Sequence, residues 1–172
     1  GLNEISSLEG ILAPYTKNAA TAQVTWFVLG ALRLENQQYD AAFEALQRLT
    51  LTENNTSEFN YLVFNLLKNN HAPTQNWLDT QLQNNYNSAL FRSYYQWQRS
   101  NQPSGKLFKT LNTLANTDNP HPEVLVYLGE LEVDYLFWTR AKTRFLNAQK
   151  NLNLEKDARK KQLLLEYSNL KL

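Results

Sequence analysis

Leucine recurs at spacings of three and four residues along nearly the whole chain, and no stretch alternates apolar with polar residues as a half-buried strand would. A chain patterned this way buries its leucines on amphipathic helices. Asparagine- and proline-rich clusters interrupt the pattern at Ala13-Pro14, Asn36-Gln37, Asn54-Asn55-Thr56-Ser57, Asn69-Asn70-His71-Ala72-Pro73, Asn84-Asn85, Asn101-Gln102-Pro103 and Asn119-Pro120-His121-Pro122. These interruptions predict an all-α fold of about ten helices, over 2–13, 20–35, 38–50, 57–69, 74–84, 87–99, 103–116, 122–134, 137–150 and 154–170. Links this short force neighbouring helices antiparallel, so the chain reads as a succession of helical hairpins.

Hairpins begin near residues 20, 57, 87 and 122. In the first, Trp26, Leu29 and Gly30 on one helix are followed by Tyr39, Ala42, Leu46 and Leu49 on the next. In the fourth, Leu128 and Gly129 are followed by Trp138, Ala141, Phe145 and Ala148. Gly30 precedes Tyr39 by nine residues and Ala42 by twelve, and Gly129 precedes Trp138 and Ala141 by the same intervals. Small residues at matched offsets let two helices approach closely, and the large ones fill the holes beside them. The middle hairpins keep the apolar period but lack this signature.

These positions resemble the tetratricopeptide repeat, whose period is about 34 residues, over most of residues 20–151. The resemblance implies a single α-solenoid domain over 1–172: an N-terminal capping helix in 1–19, about four hairpins in 20–151 and a C-terminal capping helix in 152–172. A narrower resemblance runs from about Asn85 to Leu152. There the Asn119-Pro120-His121-Pro122 break, Leu128-Gly129 and the Trp138, Ala141, Phe145, Ala148 series succeed one another as in the C-terminal region of the heme-biosynthesis-associated HemY family. That likeness implies the soluble part of a membrane-anchored bacterial protein, tethered at the inner membrane, that organises late steps of heme synthesis. Tyr135-Leu136-Phe137 departs from the family's polar turn before Trp138, which marks an altered hairpin or a contact surface.

Composition narrows the chemistry. With no cysteine, thiol nucleophiles, disulfides and thiolate metal sites are excluded. Seventeen basic and sixteen acidic residues give a net charge of +1, too balanced for a protein that mainly neutralises phosphates. The charge is nevertheless polarised: residues 1–90 hold four basic and eight acidic side chains, residues 91–172 thirteen and eight. No run approaches the roughly 20 apolar residues of a membrane span. A start at Gly1 in a chain without methionine reads as a processed or excised piece.

Candidate sites are few. His71 and His121, the only histidines, stand fifty residues apart in Pro-containing turns, which favours turn roles over a shared metal or heme site. Ser, His and Asp occur without a nucleophile elbow. Glu123, Glu130 and Asp134 share one helix face, which either looks into the groove of the array, where it would receive basic side chains of a partner, or is an exposed face stabilised by i, i+4 pairing with basic neighbours. The equivalent stripe of the first hairpin, with Phe27 and Leu34 beside Val24 and Ala31, is apolar; it serves either as an anchoring surface or as the seat of the N-terminal helix. The cluster Arg140, Lys142, Arg144, Lys150, Lys156, Arg159, Lys160 and Lys161 suits an anionic partner, but few aromatics interleave to stack bases.

The sequence therefore leads to an expectation of a non-catalytic scaffold that docks a protein or peptide segment, with no metal, cofactor or catalytic residue. The alternatives are a partner- or ligand-sensing domain of a membrane-tethered transcription regulator and, from the HemY likeness, a heme-biosynthesis-associated assembly factor.

Overall fold

Three of the helix starts are fixed by side chains that satisfy the unpaired amide N–H groups of the first turn. Asn87 Oδ1 accepts from the Leu90 N–H at 2.9 Å, His121 Nδ1 from the Glu123 N–H at 3.2 Å, and Asp157 Oδ1 from the Lys160 N–H at 2.9 Å. A computed structural model of the chain describes residues 2–52 and 54–172; Gly1, Glu53 and the side chains of Leu2, Asn3 and Ser104 lie outside it.

The described residues form ten α-helices and no strand. They are α1 (Leu2–Leu12), α2 (Ala22–Glu35), α3 (Tyr39–Gln47), α4 (Thr56–Lys68), α5 (Ala72–Asn84), α6 (Ser88–Asn101), α7 (Ser104–Ala115), α8 (Pro122–Asp134), α9 (Trp138–Lys150) and α10 (Ala158–Lys171). Short 3-10 turns occupy Ala13–Thr16 and Leu152–Leu154. The expected ten-helix, all-α class is present, with boundaries displaced by a few residues. Among the described residues no helix is long and apolar enough to cross a membrane.

The chain divides into two compact units, residues 1–78 and 79–172, with the boundary inside α5. In the first, α2 packs on α3 and α4, and α3 on α4, around Leu29, Ala42, Ala45, Leu46, Leu62 and Leu66, all at most 3% exposed. A Cβ added to Gly30 would stand 2.9 Å from Leu62 Cδ1 and 3.4 Å from Ala45 Cβ. The missing side chain thus admits α4 more closely than α3. Trp26 is half-buried under the Arg48 guanidinium, and Tyr39 donates from its hydroxyl to Asn69 Oδ1 at 3.0 Å.

In the second unit, α8 packs on α7 and α9, and α10 packs back on α8 and α9. Phe91, Tyr94, Leu111, Leu125, Leu128 and Phe145 form the centre of its core. A Cβ on Gly129 would come within 2.8 Å of the Phe145 ring, while Ala141 and Ala148 of α9 are buried beside it. Trp138 corrects the expectation drawn from its spacing: it is 61% exposed and fills no hole. Tyr39, at the matching offset, is held by Asn69 in the turn of the following hairpin, whereas the segment after α9 is α10, which folds back over α8 and α9.

Three hairpins close with one turn geometry. Gln37, Asn70 and Leu136 take φ of 59°, 57° and 62°, the left-handed region. After each, an N–H returns to the helix: Gln38 to Arg33 O at 2.9 Å, His71 to Leu66 O at 3.1 Å, and Phe137 to Glu132 O at 2.8 Å. These bonds satisfy carbonyls that the helix ends would leave unpaired. The Tyr135-Leu136-Phe137 segment is therefore an unaltered hairpin turn with apolar residues on it.

Candidate functional site

Residues 35 apart in the chain meet where α6 and α8 begin. Ser88 donates to Glu123 Oε1 at 2.8 Å, and at the same separation the Tyr86 and His121 rings stack. Equivalent positions of successive hairpins therefore stand side by side. Farther along the two helices this register aligns Arg92, Tyr95 and Arg99 of α6 with Tyr127, Glu130 and Asp134 of α8. Both sets follow i, i+3, i+7 spacing, so each forms one stripe along its helix.

The two stripes and α10 enclose a cleft of about 560 Å³. Its α10 wall carries Lys160, Leu163, Leu164, Glu166, Tyr167 and Leu170. The Tyr95 and Tyr127 rings meet edge to face at 4.7 Å and form the apolar floor. Burial raises the pKa of both phenols, for Tyr95 against the opposing pull of the Arg99 guanidinium. Both remain neutral hydroxyls at physiological pH. Glu130 pairs with Lys171 at 3.4 Å in a geometry that leaves its Oε1 without a hydrogen bond, while Asp134 is exposed at the end of α8. The cleft thus sets cations of α6 against carboxylates of α8 across tyrosine and leucine.

Compared with known protein families, curated proteins and solved structures, the chain matches none.

Glu123 corrects the expectation of three groove-facing acids. It is 0% exposed, in the first turn of α8 below the cleft. Tyr86 and Ser88 each donate to its Oε1 at 2.8 Å, Ser88 also reaches Oε2 at 3.0 Å, and Arg92 Nη2 donates to Oε2 at 2.8 Å. With its oxygens occupied by the molecule's own donors, it cannot receive a partner's side chain. The hydrogen bond to Glu123 raises the Arg92 pKa, and burial, reinforced by the Glu123 charge, raises that of Tyr86 well above its ordinary value. This network holds the start of α6 to the start of α8 and fixes Arg92 at the cleft wall. The anionic carboxylate opposes ionisation of Tyr86 and strengthens its hydrogen bonds.

The other candidate residues lie elsewhere. Phe27 is half-buried edge-on against Tyr61 at 6.1 Å, and Leu34 is half-buried. The α1 helix packs on α2 and is tied to it by Glu9 and Arg33 at 2.9 Å, but Val24 stays 68% exposed. His71 accepts or donates between Asp40 at 2.8 Å and Thr74 at 2.7 Å, beside a polar recess that also contains Arg33 and Tyr39. The basic cluster is dispersed: Arg144 donates inward to Glu132 at 2.9 Å and to Asn112 at 3.2 Å, Lys160 lines the cleft, and Arg140 and Lys142 are exposed. Among the described residues no group of three or more His, Asp or Glu is placed to hold a metal ion.

Sequence reasoning placed Glu130 and Asp134 on a groove face but missed Arg92, Tyr95, Arg99 and the α10 wall. The signal was available in the 35-residue register, which repeats the i, i+3, i+7 stripe on both helices. Leu163, Leu164 and Tyr167 of α10 do share a face, which led to the expectation of a C-terminal cap; that this face closes a cleft against α6 and α8 had no signal in the sequence.

Proposed function

We propose that the chain is a non-catalytic protein-interaction domain built of tetratricopeptide-like hairpins, and that it takes a partner segment in the cleft between α6, α8 and α10. The observation that carries this reading is the arrangement of the cleft: a tyrosine and leucine floor between the Arg92/Arg99 stripe and the Glu130/Asp134 stripe. An amphipathic segment with an apolar anchor between acidic and basic side chains would satisfy all three surfaces at once. Apolar anchors supply most of the affinity in such grooves, and opposed charges set orientation. Docking on a surface of fixed helices requires little reorganisation.

A photo-crosslinking residue in place of Leu163, with another at exposed Val24 as control, tests this. Crosslinks to one partner segment from the Leu163 position only, abolished by Glu130→Lys/Asp134→Lys, are the expected outcome. Equal crosslinking from both positions, or a variant that captures the same segment equally well, would sink the reading.

The cleft volume also lies within the range of small-molecule sites, which favours the sensor-domain reading as the second choice. The HemY likeness makes heme-associated assembly a further form of the scaffold reading, in which the docked segment belongs to a heme-synthesis protein.

A further inference from the structure

The turn between α8 and α9 carries apolar side chains that its geometry does not require. The same left-handed turn is made elsewhere in the chain by Gln37 and Asn70, whereas here Leu136 occupies the position and is 67% exposed. A leucine at positive φ is strained relative to Asn or Gly. Trp138, two residues on, is exposed as well.

Beside these two, the turn rests on aromatic contacts with α7. Phe108 of α7 meets Tyr135 edge to face at 5.1 Å and Phe137 at 6.1 Å, and the Arg140 guanidinium covers the Phe137 ring at 5.2 Å. The support holds Leu136 and Trp138 outward instead of letting them fold onto the protein.

Of the three helices at this tip, α7 and α9 are basic, whereas α8, which leads into it, carries Glu123, Glu130, Glu132 and Asp134. Neither α7 nor α9 contains an Asp or Glu. Lys106 and Lys109 are exposed three residues apart on α7, on either side of Phe108, and Arg140 and Lys142 are exposed at the start of α9. Trp138, Lys142 and exposed Leu146 succeed one another at four-residue spacing, along one side of α9. Asp134, the nearest carboxylate in the chain, lines the cleft.

We infer that this tip is a contact site for an anionic lipid surface, with Leu136 and Trp138 entering the interfacial region and Lys106, Lys109, Arg140 and Lys142 pairing with headgroups. Tryptophan beside lysine and arginine matches the layered polarity of a bilayer interface, apolar inward and cationic at the phosphate level. Clustered basic residues add attraction that depends on anionic lipid and weakens with salt. The inference is independent of the partner cleft.

Co-sedimentation of the full chain with vesicles tests it. The expected result is binding to phosphatidylcholine vesicles containing phosphatidylglycerol, little binding to phosphatidylcholine alone, and release as salt is raised. Leu136→Asn/Trp138→Gln should weaken binding by about tenfold, and Lys106→Glu/Lys142→Glu should weaken it at least as much. Asparagine suits the left-handed turn, and the four altered side chains are exposed, so circular dichroism should show both variants folded. Failure of the unaltered chain to bind the anionic vesicles would overturn the inference. Undiminished binding by the tip variant would do the same, because charge alone would then account for the attraction.

Discussion

Tyr86 and His121 stack face to face, their ring centroids 3.8 Å apart and their planes 12° from parallel. The stack joins the segment before α6 to the first residue ahead of α8, where a separate hydrogen bond fixes which imidazole nitrogen carries the proton. His121 Nδ1 accepts from the Glu123 N–H, so the neutral ring bears its hydrogen on Nε2, 3.5 Å from Glu155 Oε2.

The histidine makes folding sensitive to mild acid. Burial lowers the His121 pKa below the ordinary 6.5 despite the opposing pull of Glu155 and Glu123. The unfolded chain then takes up this proton first. The contribution of neutral His121 is complete above about pH 6.5 and is lost as pH falls from there through the folded-state pKa. His121→Asn retains a capping side chain but cannot titrate. Urea unfolding between about pH 7 and pH 5 should show a flatter dependence for the variant than for the parent; identical slopes would exclude His121 as their source.

Glu123→Ala should destabilise the second unit by about 3 kcal/mol, since it strands the Tyr86 and Ser88 donors and leaves Arg92 without its counter-ion. The partly exposed Arg92 head can rehydrate, which keeps the cost below that of a fully buried broken pair. Chemical unfolding measures it. A change under about 0.5 kcal/mol would mean the network contributes little.

Four glycines sort into two kinds. An added Cβ would meet the buried Phe145 ring at Gly129 and buried Leu62 at Gly30, but nothing within 4 Å at Gly10 or Gly105. Gly129→Ala should lower stability by about 1–2 kcal/mol, overpacking outweighing the gain in helix propensity. Gly30→Ala should cost less, because a leucine methyl yields more readily than a ring. Gly10→Ala, in the open, should be neutral or stabilising by up to about 1 kcal/mol. Melting temperatures that rank the three substitutions in another order would contradict the packing described for α8 and α9.

Leu136→Asn should raise stability by about 1 kcal/mol, as it replaces a strained leucine in the left-handed region with a residue that tolerates it. A lower melting temperature for this variant would show that Leu136 contributes packing its exposure does not suggest.

The ten helices were legible because punctuation and period coincide: Pro122 sits at a helix start, and Asn69 and Asn70 end a helix near where the apolar pattern stops. Glu130 and Asp134 were legible as a pair for the same reason. Glu123 was misread because helical spacing fixes a face but says nothing of what lies over it; Tyr86, Ser88 and Arg92 arrive from another helix. Trp138 shows the converse limit. Its offset from Gly129 copies that of Tyr39 from Gly30, yet burial at that position depends on the neighbour supplied by the next turn of chain, as Asn69 supplies it for Tyr39. The final helix was legible as a C-terminal cap, but the cleft it walls was not, because Leu163, Leu164 and Leu170 line a cavity only against α6 and α8.

Gln37, Asn70 and Leu136 close three hairpins by the same returning bonds although two carry a carboxamide and the third a branched alkyl side chain. The backbone there acts as a standard mount that keeps its geometry even under a side chain it does not favour. A surface feature can therefore be exchanged at these bends one residue at a time, by mutation or by grafting, while the helices on either side keep their register.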